Sequence, residues 1–139
     1  MENNYLLALT MSIVAILKQD YQRFPTNQTY SIYADDVYFQ DPLTKFRGIN
    51  HYKKMIWFIQ QWFLNPKMDV HYIQQQENTI KTEWTLSWNT PLPWEPRIFI
   101  SGSSELLISP QNVIVSHIDY WYCSPLNVLK QHLFAGKSQ

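Results

Sequence analysis

The hydrophobic pattern of this chain changes its period once, near Lys67. Before that residue, apolar side chains recur every three to four positions, whereas beyond it they recur at every second position. The clearest example is IKTEWTLSWNT, in which Ile80, Trp84, Leu86 and Trp88 alternate with polar residues. The first spacing is typical of amphipathic helices, and the second of strands with one buried face. The pattern therefore predicts helices in the first half of the chain and a sheet in the second.

Two long helices are predicted ahead of the sheet. The first contains the run LLALTMSIVAIL, continues to Phe24 and ends at Pro25. The second follows Gly48 and ends at the Asn-Pro pair in WFLNP, because proline lacks the amide hydrogen that a helix interior needs. A short helical turn in QTYSIYA and a short strand, VYFQDP, are predicted between them.

Four antiparallel strands are predicted to follow, with a turn at SPQN before the last one. Gly102 is expected to mark a bulge that bends the sheet. A C-terminal helix begins with Ser124 as its N-cap and Pro125 in its first turn. This order predicts a single α+β domain over residues 1–139, with helices packed on one face of the sheet. The strand segments are MDVHYIQQ, IKTEWTLSWNT, RIFISGSSELLIS and VIVSHIDYWYC.

Composition excludes several classes of function. Eleven Lys and Arg balance eleven Asp and Glu, so no broad positive field attracts nucleic acid or an anionic membrane surface. Cys123 is the only cysteine and the four histidines lack metal-ligand spacing, so we expect no disulfide and no metal. Three glycines form no phosphate loop, and we expect no cofactor.

The apolar run near the N-terminus is predicted to be a buried helix. LLALTMSIVAIL is too short to cross a bilayer. The preceding MENNY carries no positive charge and no small-residue cleavage site follows, so we do not expect a signal peptide. We therefore expect a cytoplasmic protein with no membrane partner.

The predicted order of helices and long strands, together with YADDVYFQDP, FRG and VIVSHIDYWYC, resembles the nuclear transport factor 2-like superfamily. Within it, ILKQDYQRFP, YSIYADDVYFQDP, TPLPWEPRI and SHIDYW resemble an uncharacterised family of photosynthetic organisms. The resemblance implies a cone, in which a strongly curved antiparallel sheet wraps round the N-terminal helices and a short C-terminal helix follows. It also implies a pocket between the concave sheet face and the helices. The superfamily includes ketosteroid isomerases, scytalone dehydratase, limonene epoxide hydrolase and polyketide cyclases, so fold alone does not select an activity.

His117 and Asp119 are the candidate catalytic residues. They lie two positions apart on a strand and therefore share a face, together with Val115 and Trp121, while Ile114 is predicted on the opposite face. A histidine beside a carboxylate in an apolar cavity is suited to acid-base chemistry. The alternative is that both residues satisfy buried hydrogen bonds. Related sequences often carry an acidic residue after the tryptophan, but this chain has Tyr122 there.

The candidate ligand-binding residues are mainly aromatic. Trp84, Trp88 and Trp121 are predicted to form a cavity wall, and Tyr33, Phe39 and Asp41 to join them.

Asp41 precedes a proline and has a second interpretation. It either serves the pocket or caps the turn before FRG, and we favour the turn. Arg47 is expected to pair with Asp41 or Asp36 in that case.

Three functions remain open at this point: a binder of a small apolar or aromatic molecule, an acid-base enzyme, and an interaction module whose cone is filled by aromatic side chains. We favour the binder.

We also expect a homodimer through the outer sheet face, because Ile118 and Tyr120 make that side of the last strand partly apolar. Trp57 and Trp62 cannot both face inward from one helix, and one is expected at an interface. His71 and His132 are predicted to be surface residues.

Overall fold

The structure is a computed structural model and describes residues 11–134. Within this range no helix is long and apolar enough to cross a membrane. The start of the first predicted helix and the predicted helix end at Gly136 lie outside the described residues. In chain order the elements are α1 (Ile13–Gln22), a 3-10 turn (Tyr30–Ile32), β1 (Tyr33–Gln40), β2 (Lys45–Arg47), α2 (Ile49–Trp62), β3 (Leu64–Gln76), β4 (Thr79–Asn89), β5 (Arg97–Ile108), β6 (Ile114–Trp121) and α3 (Pro125–Phe134).

The described helices follow the predicted pattern. Ser12 caps α1 by accepting a hydrogen bond from the amide of Ala15 at 3.1 Å. Gly48 precedes α2 with a φ of 114°, a conformation that favours glycine. Ser124 caps α3, as predicted, by accepting from the amide of Asn127 at 3.1 Å.

The six strands form one sheet in the order β2-β1-β6-β5-β4-β3. The predicted strands β3 to β6 are all present and pair antiparallel with their neighbours. However, β1 pairs with β6 in parallel, so the prediction of an antiparallel sheet was wrong for this pair. The reason is that α2 and four strands separate β1 from β6, and a long connection permits the parallel arrangement that a hairpin forbids. Over residues 11–134 the result is an α+β fold with a curled sheet and three helices.

A β-bulge in β6 changes which residues face the helices. Ile108 pairs with Ile114 and Leu107 pairs with Ser116, so Val115 is an extra residue between them. Ile114 is fully buried in the core, and the prediction that it lies opposite His117 was wrong. Because Val115 is inserted between them, Ile114 and His117 lie on the same, inward face although they are three residues apart.

Gly102 does not mark a bulge, because it pairs in register with Trp84 on one side and Trp121 on the other. Its role is close packing. A Cβ at this position would lie 2.2 Å from the carbonyl oxygen of Tyr120 and 3.1 Å from the Trp84 ring. Only glycine lets the Tyr120 backbone and the Trp84 ring approach β5 at this point.

Helix α3 covers the start of β5, where β5 has no neighbouring strand on the β6 side because β6 ends at Trp121. The side-chain amide of Gln131 supplies the hydrogen bonds that a strand would make there. The amide accepts a hydrogen bond from the Phe99 N–H at 2.7 Å and donates one to the Phe99 carbonyl at 2.9 Å.

His132 is half-buried and bonds Thr90 Oγ1 at 2.8 Å, so the prediction of a surface histidine was wrong. Thr90 lies in the loop after β4, far from His132 in the sequence, and the hydrophobic pattern of a helix gives no information on such a contact.

Two clusters of buried apolar residues form the core. The larger joins α1 and α2 to the sheet and includes Leu17, Phe39 and Ile56. The smaller is built on β4 and β5 and includes Leu86 and Ile100. Members of both clusters line one cavity, which therefore lies between them.

Replacing Gly102 with alanine is expected to destabilise the fold by about 1–3 kcal/mol, because the added methyl group meets a backbone carbonyl that cannot move freely. Urea denaturation would measure the loss. Ser103→Ala, on the next residue of the same strand, is the matched control and should change stability by less than about 0.5 kcal/mol. An unchanged midpoint for Gly102→Ala would contradict the close packing described above.

Candidate functional site

A cavity of about 340 Å³ lies between the helices and the concave face of the sheet. Its walls are mainly apolar and aromatic. All eight residues predicted as catalytic or ligand-binding line it: Tyr33, Phe39, Asp41, Trp84, Trp88, His117, Asp119 and Trp121. These residues therefore lie together around one cavity, and their roles in it stay predictions.

The carboxylate of Asp119 is held by side chains from two strands. Its Oδ1 accepts a hydrogen bond from Ser104 Oγ at 2.5 Å and lies 2.8 Å from His117 Nε2. Ser104 in turn accepts a hydrogen bond from Trp84 Nε1 at 2.8 Å. Because Ser104 lies directly opposite Asp119 in the pairing of β5 with β6, the strand register itself makes this contact. The second oxygen, Oδ2, forms no hydrogen bond with residues 11–134 and is not fully buried.

Ser104 is a functional candidate that the sequence reasoning missed. It is buried, and the alternation of RIFISGSSELL places it on the same face as Ile100 and Leu106. The sequence signal that could have identified it is a serine at a position where the strand pattern calls for an apolar residue. Such a buried hydroxyl needs a partner, and Asp119 supplies one.

His117 orients Asp119 and presents no free nitrogen to the cavity. Nε2 is bonded to Asp119, and Nδ1 is buried without a hydrogen-bond partner among the described residues. Nε2 therefore holds the carboxylate, while the buried Nδ1 leaves the other side of the ring without a partner among the described residues. Phe39 holds the ring, with centroids 5.1 Å apart.

Asp41 combines the turn role with a place in the cavity wall. Its Oδ1 accepts hydrogen bonds from the amides of Leu43 and Thr44, both at 2.8 Å, in agreement with the predicted turn. Burial raises the pKa of Asp41, the two amides lower it, the charge of Asp119 raises it and His117 lowers it. The two carboxyl groups therefore lie within electrostatic reach of each other.

Arg47 does not form the predicted ion pair. Its Nη1 donates to the backbone carbonyl of Asp36 at 3.2 Å, and its guanidinium lies 5.3 Å from the centre of the Tyr38 ring. The guanidinium of Arg47 therefore stacks on Tyr38, its partner on β1, and forms no ion pair with either aspartate.

Three tyrosines place hydroxyl groups in the cavity wall. Tyr33 and Tyr52 hydroxyls lie 3.3 Å apart, and Tyr21 bonds the buried Thr82 hydroxyl at 3.1 Å. Burial is the main reason that the pKa of Tyr21 rises to about 12 and those of Tyr33 and Tyr52 rise above the ordinary value. The negative charge of Asp119 raises all three further. These hydroxyls therefore remain protonated at neutral pH.

The described residues offer no metal site. Over positions 11–134, no three His, Cys, Asp or Glu side chains are grouped so that they could hold a metal ion.

Solved structures with similar folds come from several bacteria. A hypothetical protein with a ketosteroid isomerase-like fold from Catenulispora acidiphila, solved with trimethylamine, gives a TM-score of 0.70 at 14% identity over 91% of this chain and 98% of that one. An LEH-like epoxide hydrolase from M. tuberculosis gives 0.68 at 13% identity over 88% and 90%. A putative SnoaL-like polyketide cyclase from Jannaschia sp. gives 0.68 at 7% identity over 91% and 92%. At these identities the likeness shows the fold alone.

The search of curated proteins found no match. The family profile described as "Uncharacterized conserved protein (DUF2358)" matches residues 11–117, which is most of the chain. The chain therefore belongs to the uncharacterized conserved protein family DUF2358 and has the fold of the nuclear transport factor 2-like proteins.

Proposed function

We propose that this protein binds a small, largely apolar molecule in the cavity, oriented by Asp119. The observation that carries the proposal is an open cavity of about 340 Å³ whose apolar walls surround one firmly held carboxylate. Small-molecule sites in proteins typically begin near 300 Å³ and combine apolar walls with a few fixed polar groups. An interaction module with a filled cone would not need this space.

The aromatic walls favour a flat or ring-containing ligand. Trp88 stacks on Phe63 with ring centroids 4.0 Å apart, so its face is held rigidly. Trp84 is fixed through its hydrogen bond to Ser104. Rigid aromatic faces bury much apolar area with little loss of side-chain entropy on binding. A ring-containing or isoprenoid skeleton would fill the apolar part of the cavity.

Filling the cavity should abolish binding. Leu86 lines the cavity and is buried, so Leu86→Trp places an indole where the ligand would lie. Naphthylmethanol is a suitable neutral probe, and calorimetry should show at least a tenfold weaker affinity for the variant, equivalent to about 1.4 kcal/mol. Leu107→Trp makes the same change at an exposed position on the next strand and is the control. Equal affinity of Leu86→Trp and the original protein would contradict binding in this cavity.

A second candidate function is acid-base catalysis by Asp119, as in an isomerase, a dehydratase or a polyketide cyclase. The observation that favours it is the unbonded Oδ2, since Oδ1 is fixed by Ser104 and His117 within the described residues. One oxygen would then hold the carboxylate in position while the other exchanges a proton with a substrate. His117 would position the carboxylate.

The two candidates differ in the effect of Asp119→Asn. The amide retains the size of the side chain and an oxygen for Ser104, so binding of an apolar probe should persist. Catalysis would fall by about 10²–10⁴-fold, measured as turnover of any compound that the protein converts. Asp36→Asn, at an exposed position on β1, controls for the loss of a charge. Full turnover by Asp119→Asn would exclude the catalytic role.

We also propose a homodimer through the outer face of the sheet. Tyr72, Phe99, Leu107 and Tyr120 are exposed on that face. Tyr120→Glu should then give a monomeric mass by light scattering at micromolar concentration. Trp57→Glu, on the exposed side of α2, should leave the dimer intact. A monomeric original protein, or dissociation only by Trp57→Glu, would refute an interface on the sheet.

The remaining expectations stay predictions. They are the cytoplasmic location, the occurrence of the family in photosynthetic organisms, and the lack of nucleic acid or membrane partners. Near-neutral charge supports the last of these.

A further inference from the structure

We propose that the cavity selects ligands that carry an amine over neutral or acidic ligands of the same skeleton. The inference rests on the proposed binding function and names the chemical class of the ligand. The charged side chains that line the cavity are carboxylates, those of Asp20, Asp41 and Asp119. No lysine or arginine among residues 11–134 lines it.

Asp20 is already neutralised by its own neighbours. Arg23 Nη2 lies 2.9 Å from its Oδ1, and Thr29 donates both its backbone N–H and its hydroxyl to the same carboxylate. This carboxylate therefore closes a turn after α1 and adds no free negative charge to the cavity.

Asp41 and Asp119 have no arginine partner of this kind. Within the described part of the chain, neither forms an ion pair with a lysine or an arginine. Two backbone amides bond Asp41, whereas Ser104 and His117 bond Asp119. Hydrogen bonds from amides and hydroxyls stabilise a carboxylate but leave its charge in place. Against these two carboxylates the described cavity lining sets one histidine and no lysine or arginine, so acidic groups outnumber basic ones.

The two carboxylates act on each other through the protein. Burial raises the pKa of Asp41 most and the charge of Asp119 raises it further, whereas two backbone amides and His117 lower it. A cation beside them would relieve this repulsion, whereas an acidic ligand would bring a third negative charge into the same space.

Aromatic faces supply the second half of a site for ammonium groups. Tyr33 and Tyr52 pack with ring centroids 4.9 Å apart, and Phe39 lies 5.9 Å from Tyr52. Trp84 and Trp121 complete the aromatic part of the wall near Asp119. A cation over such faces gains from the ring quadrupole, most strongly where water is displaced. Aromatic rings combined with free carboxylates distinguish this cavity from a purely apolar one.

The test compares three ligands that share one ring system: naphthylmethylamine, naphthylmethanol and naphthoate. Calorimetry at neutral pH should show the amine binding about tenfold more tightly than the alcohol, with naphthoate weaker than both. Asp119→Asn and Asp41→Asn should each reduce the preference for the amine. Asp36→Asn, which removes an exposed carboxylate outside the cavity, should leave the preference unchanged.

The outcomes separate this inference from the proposed function. Equal affinity for amine and alcohol, or an amine preference that persists in both cavity variants, would overturn the inference while leaving a ligand-binding cavity. Failure of all three compounds to bind would contradict the inference and the proposed function together.

Discussion

The pairing of β5 with β6 is the contact on which the candidate site depends. It places Ser104 opposite Asp119, and the pleat then brings His117 to the same face two residues away. Because side chains alternate at every residue, a slip of one position would turn Asp119 toward solvent. The bulge at Val115 is therefore part of the site. It allows Ile114 to fill the core while His117 and Asp119, further along the strand, face the cavity.

Packing around Gly102 extends this dependence to the cavity wall. The missing Cβ lets the Trp84 ring lie against the backbone of β5. In this position the indole N–H reaches Ser104, whose hydroxyl is then directed at Asp119. The close packing at Gly102 therefore contributes to the orientation of the Asp119 carboxylate through Trp84 and Ser104.

The sequence could predict which residues share a face where a strand is regular, but it predicted neither the bulge that turns Ile114 inward nor which residues meet across the fold. Alternation placed Trp84 and Trp88 together and identified His117 and Asp119 as neighbours, because these relations depend only on local geometry. The parallel pairing of β1 with β6 and the contact of His132 with Thr90 join distant segments, and no local period reports them. A glycine within a strand can mark either a bulge or a close approach of another chain segment, and the sequence alone does not distinguish them, as Gly102 shows.

The pattern of bonded and unbonded oxygens on Asp119 is compatible with the proposed role in ligand binding. Removing a carboxylate from water is costly, and a carboxylate that only holds strands together is most stable when both oxygens are bonded. Here Oδ1 receives two partners, while Oδ2 receives none from the described residues and is not fully buried. An asparagine could hold Ser104 with less desolvation. The retained charge, fixed on one side and open on the other, is what a donor group on a ligand would complete.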